Sequence, residues 1–128
     1  MRTIKFRGLR TDGKGWVYGG YFQHTPDEDG VRYYIFDFNE GAVEVIPESV
    51  GQFTGLHDKK GKEIYEGDML RDDYTDEDIL IEDYSVVVWD EKFCQWAIDN
   101  SFAKDGSSFT NLVEYFARET FEIIGNVF

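Results

Sequence analysis

The sequence predicts a compact, mainly β domain, barrel-like or built of two packed sheets, with one short helix in its C-terminal half. Three observations lead there. Apolar and polar residues alternate along most of the chain, which is the period of a half-buried strand. Glycine and aspartate gather between those runs, where turns need them. Aromatic residues reach 17%, well above what a disordered acidic chain carries. A chain of 128 residues suits one domain, and no repeat, low-complexity tract or long linker divides it, so residues 1–128 read as a single domain.

Taken in order, "TIKFRG" places Ile4 and Phe6 on one face and Lys5 and Arg7 on the other. "TDGKG" turns the chain, and "WVYGGYF" is a second strand in which Gly19 and Gly20 mark a bulge or a close backbone approach. "VRYYIFDF" is apolar on both faces, which predicts a strand between layers. "AVEVI" runs back to Pro47, which ends it. Further on, "YSVVVW" reads as an inner strand, "DEK" as a turn, and "FCQWAI" as a strand with Cys94, Trp96 and Ile98 on one face. "TNLVEYFARE" has Leu112, Tyr115 and Phe116 at helical spacing, and "TFEIIGNVF" closes the chain as a strand. Eight or nine strands are expected in all.

The most regular stretch is "GQFTGLHDKKGKEIYEGDML", residues 51 to 70. Asp58 fits the first position of a type I turn, its carboxylate accepting from turn amides. Lys59 and Lys60 then take the central positions, and Gly61 supplies the left-handed residue of a G1-bulge hairpin. In "YEGD", Gly67 is free to adopt positive φ before the next strand. Gly51, Gly55, Asp58, Gly61, Tyr65, Gly67 and Asp68 are therefore read as a structural signature, there to bend and fasten backbone.

Acidic residues outnumber basic ones 26 to 13, a formal charge of -13. Such a field repels phosphate backbones and anionic membranes and attracts basic partners. It reads first as a device for solubility, with a basic host or phage protein as the alternative where a specific partner exists, and it disfavours nucleic acid. A single cysteine allows no internal disulfide. Met1 is followed at once by charged "RTIKFR", and no apolar run approaches a membrane span, so a cytoplasmic protein of a bacterial host is expected. A small β domain also has strand edges to cover, which allows self-association.

Three blocks, "IKFRGLR", "IPESVGQFTGLHDKKGKEIYEGDML" and "FEIIGNVF", together resemble the YopX family, small proteins encoded largely by bacteriophages, prophages and other mobile elements. The middle block is the specific one. Gly8-Leu9 departs from the Ala-Trp more usual there, "DDYTDEDILIEDY" is an unusually acidic link, and relatives commonly continue past the position of Phe128 with an Asn-Pro-Glu-type tail. The resemblance implies a β-rich fold and a phage or mobile-element origin. It carries over no activity, cofactor or catalytic residue.

Other candidates are weighed on their own chemistry. Asp72, Asp73, Asp76 and Asp78 lie in an acid-dense run that could serve a metal-assisted hydrolase, but the run lacks EF-hand spacing and reads as a solvated loop. Cys94, alternating with Trp96 and Ile98, reads as a buried, inert thiol. His57 could pair with Asp58 or Asp68 as a base, yet neither it nor His24 sits near a nucleophile motif. A nucleic-acid module would use the aromatics with Arg2, Lys5 and Arg7. The leading expectation is a binding module without catalytic activity.

Overall fold

A computed structural model describes residues 3–26, 30–72, 85–99, 110–111 and 121–128. Eleven strands run through them: β1 (Phe6–Leu9), β2 (Trp16–His24), β3 (Arg32–Asp37), β4 (Gly41–Glu44), β5 (Gly51–His57), β6 (Glu63–Tyr65), β7 (Asp68–Asp72), β8 (Ser85–Asp90), β9 (Gln95–Asp99), β10 (Thr110–Asn111) and β11 (Phe121–Asn126). They form two antiparallel sheets, ordered β4-β3-β2-β1-β5-β6 and β10-β9-β8-β7-β11. The mainly β class read from the alternation is what the chain adopts. Its residues gather into two compact units, Met1–Gly55 and Leu56–Phe128.

In the first unit, β1 to β4 curl into a small barrel. Consecutive strands pair from β1 through β4, and the ring closes where Arg10 bridges Val45. The Thr11 amide donates to the Glu44 carbonyl and the Ile46 amide to that of Leu9. Val17, Ile35 and Val45 fill the interior, with Phe6, Tyr21, Tyr33 and Val43 packed against them. Burying each large apolar side chain contributes about 1.5–3 kcal/mol. Pro47 does end the strand run, starting a 3₁₀ turn over Pro47–Ser49. Buried Ser49 accepts the Leu9 amide at 2.8 Å and donates to the Ile46 carbonyl, so the turn caps the closure.

Gly19 is the close approach that the paired glycines predict. A Cβ there would stand 1.9 Å from the Phe36 carbonyl oxygen. That oxygen is backbone in the adjacent strand, and it has no cheap way to move.

In the second unit, Ile64, Leu70, Val87, Ile98 and Phe121 make the core, with Leu56, Trp96 and Ile123 half-buried against it. Each comes from a different strand or strand end, so this core forms only when distant parts of the sequence meet. β11 pairs along β7 with a bulge between Ile123 and Gly125. The expected inner strand, β8, lies between β7 and β9.

The strands number eleven among the described residues where eight or nine were expected, and three further expectations need correction. β3 is not sandwiched between layers: Ile35 is buried, but Phe36, facing the other way, is 52% exposed. The aromatics that made both faces apolar serve one interior and one surface. The expected helix at 110–119 begins instead with strand β10, whose Thr110 and Asn111 pair with Ile98 and Ala97. The rest of that segment lies outside the described residues. Cys94 is exposed, not buried with Trp96 and Ile98. It sits in the turn before β9 at φ 50°, and this left-handed residue breaks the alternation that would have turned it inward.

Two glycines should separate steric from backbone effects. Gly61→Val, at φ +83° with open space around it, should lose about 1 kcal/mol or more from the left-handed turn. Gly19→Ala should lose at least about 3 kcal/mol, because it drives a methyl into backbone. Urea denaturation of both variants beside the parent checks the order.

Candidate functional site

The segment 51–70 is the natural place to look for chemistry, and its polar groups face backbone. Asp58 is buried. Its Oδ1 accepts the amides of Lys60 at 2.9 Å and Lys62 at 2.8 Å. Its main chain completes the hairpin, with the Asp58 amide on the Lys62 carbonyl and the Gly61 amide on the Asp58 carbonyl. This is the turn expected from the sequence, with Gly61 at φ +83° closing it.

The other carboxylate oxygen does something a local turn does not need. Oδ2 accepts the Ile123 amide at 3.1 Å, a link across 65 positions. The Lys59 amide donates to the Phe121 carbonyl at 2.9 Å beside it. Glu122 completes the junction, receiving Lys60 at 2.5 Å and Lys59 at 3.7 Å. Burial works to raise the Asp58 carboxyl, but the Ile123, Lys62 and Lys60 amides outweigh it and hold the group below the ordinary aspartate range. Hydrogen bonding to Lys60 likewise lowers the Glu122 carboxyl.

The "YEGD" turn is a second fastening. Asp68 is 1% exposed, and its Oδ2 accepts the Tyr65 amide at 2.8 Å. Gly67, at φ +90°, donates its amide to the Val87 carbonyl and accepts the Val127 amide on its own. A Cβ on Gly67 would lie 2.8 Å from the Phe128 ring. Tyr65 is buried with its hydroxyl 3.2 Å from Glu63. Burial pushes the neighbouring Glu66 carboxyl up. Gly51 is buried and paired with Arg7, and exposed Gly55 has φ +86°. The signature residues thus converge on turns and strand junctions.

The remaining candidates are scattered. Asp72 ends β7 opposite Phe121; Asp73, Asp76 and Asp78 lie outside the described residues, as does Arg2. Among the described residues no group of three or more His, Cys, Asp or Glu side chains is arranged to hold a metal ion. His24 and His57 are both exposed at strand ends. The two carboxylates suggested as partners for His57, those of Asp58 and Asp68, accept backbone amides. Lys5 stands 5.7 Å from the Phe53 ring centroid, and Arg7 is buried 4.4 Å from that of Trp16.

What the residue patterns did not single out is the outer face of the first unit's barrel. Register puts Tyr18, Gly20 and Phe22 of β2 on one face with Tyr34 and Phe36 of β3. Phe22 and Tyr34 stack at 5.2 Å and 15°, while Tyr18, Phe22 and Phe36 are each at least 40% exposed. The signal was present as same-face aromatics, Tyr18 and Phe22 four apart on β2 and Tyr34 and Phe36 two apart on β3, opposite the positions that fill the core. No helix among the described residues is long and apolar enough to cross a membrane.

Comparison with known proteins adds the following. The family model described as YopX protein matches residues 5–128. A crystal structure of the protein EF1440 from Enterococcus faecalis superposes with a TM-score of 0.52 at 18% identity, covering 99% of this chain and 94% of its own. That likeness concerns the fold. None of the curated proteins matches.

Asp58→Ala should cost about 3 kcal/mol at neutral pH, since it leaves the three amides without their charged acceptor. A carboxyl held low when folded contributes stability above its unfolded pKa and loses it as pH falls through the folded value. The gap between parent and variant should therefore narrow below about pH 4. Urea midpoints measured across that range check both the size and the direction.

Proposed function

The chain belongs to the YopX family, and on that premise we propose that it is a non-catalytic binding protein, an accessory factor of phage or prophage origin acting in the bacterial cytoplasm. The observation that carries this reading is the use made of the signature segment. Asp58, Asp68 and Gly67 are committed to backbone amides and carbonyls, so the most distinctive residues of the chain are engaged in holding strands together. A general base or nucleophile needs a side chain aimed at a substrate, and these are aimed at the fold.

The partner we assign is a basic protein. The second unit carries eighteen acidic against seven basic residues, and the first carries eight against six. Most of the net charge of -13 therefore belongs to residues 56–128. A dense carboxylate field steers a positively charged surface to it and loses that steering as salt rises.

Affinity capture from nuclease-treated bacterial lysate at low and high salt tests the reading. The expected result is a discrete basic protein that salt releases and that rebinds as a purified pair. Recovery of no partner at low salt, or of one indifferent to salt, would count against it.

A further inference from the structure

We propose that the hairpin at residues 58–62 guards the outer edge of β11, and that the edge it covers pairs with a second copy of this chain when the guard lifts. Among the described residues β11 ends its sheet, with β7 as its strand neighbour. A strand in that place carries a row of amides and carbonyls that another strand can use. Two of them, the Phe121 carbonyl and the Ile123 amide, are spaced as one side of a strand presents them. Both are taken by the hairpin.

An adjoining strand would bring an N–H to the first group and a carbonyl to the second. The hairpin brings the Lys59 N–H at 2.9 Å and the Asp58 Oδ2 at 3.1 Å. The carboxylate oxygen stands in for a backbone carbonyl, and a turn takes the place of a sixth strand. The far side of that turn, Lys60 and Gly61, is exposed and belongs to no strand, so it offers no extended ladder in its place.

The edge is one that needs covering. Residues 121–128 read "FEIIGNVF", with five apolar side chains, one charge and no proline. Such a composition favours strand pairing and does little to resist it. Ile123 and Ile124 are half-buried, and Val127 and Phe128 are exposed. The one charge, Glu122, is held by Lys59 and Lys60 of the same hairpin, so the guard also engages the strand's own gatekeeper.

The occupant follows from symmetry. Antiparallel pairing joins a strand to its own copy about a two-fold axis, each contact being made twice. Centred on Ile123, such a pair sets Glu122 opposite Ile124 of the copy, and the strand's one charge meets no like charge across the ladder. A strand of another protein would have to match this edge; the copy matches it by construction. What opposes the pairing is the unit's net charge of -11, from seven basic and eighteen acidic residues. Salt screens that repulsion, so edge pairing strengthens with salt, whereas capture of a basic protein weakens. The two readings therefore fail separately.

The test is sedimentation of the full chain at low and moderate salt, as the parent, Asp58→Ala and Gly19→Ala, with amide hydrogen exchange on Asp58→Ala in dilute and concentrated solution. Asp58→Ala should rise toward roughly twice the parent's weight-average mass as salt is raised. Its Ile123 amide, unprotected in dilute solution, should regain protection as concentration rises. Gly19→Ala, weakened in the first unit without touching β11, should keep the parent's mass. If Asp58→Ala does not fold, Asp58→Asn, which keeps one side-chain oxygen, carries the same test. A mass for the Asp58 variant equal to the parent's at every salt overturns the proposal. Equal association by Gly19→Ala, or association that leaves the Ile123 amide exchanging freely, overturns it as well.

Discussion

One carboxylate joins the two ends of the second unit. Asp58 holds its own hairpin with Oδ1 and β11 with Oδ2. Its buried position gives each of these bonds more weight than an exposed one would have, because an amide left there without an acceptor has no water to turn to. Around it, the Lys59 amide meets the Phe121 carbonyl, and Lys59 and Lys60 both reach Glu122. Phe121 belongs to the hydrophobic core and half-buried Ile123 packs against it. The polar lock and the apolar packing therefore fix the same register between β11 and the hairpin.

The first unit is held by different means. Its barrel closes through backbone bonds from Thr11 and Ile46 and through Ser49 under Leu9. The interior is small, so the strands approach closely, and Gly19 is where that approach leaves no room for a side chain. Once the interior is filled from one face, the aromatics of the opposite face have nowhere to go but outward. Gly20, the neighbour of Gly19 in sequence, is exposed and has open space where its Cβ would be.

Much of this was legible in the residues. The Asp58 turn, the positive φ of Gly61 and Gly67, the close approach at Gly19 and the stop at Pro47 all follow from local chemistry, and local chemistry is what a short stretch of sequence encodes. The bond from Asp58 to Ile123 was not legible, because nothing near either residue reports a partner 65 positions away. Cys94 was misplaced because alternation was carried back one residue too far, through a turn whose left-handed residue is neither glycine nor asparagine. The aromatic face was hidden by the same feature that marks it: β3 is apolar on both sides, which suits burial between layers as well as it suits one core and one exposed face. Telling these apart takes the register of β2 against β3.

A scaffold fastened from within leaves its function to its surfaces, and that division rests on the Asp58 junction. Amide hydrogen exchange on Asp58→Asn tests it most directly. Asparagine keeps the shape but offers only one side-chain oxygen, so it cannot serve the hairpin amides and Ile123 together. The account predicts that Ile123 loses protection in the variant while Val45, bonded to Tyr33 in the first unit, keeps its own. Unchanged protection at Ile123 would contradict it.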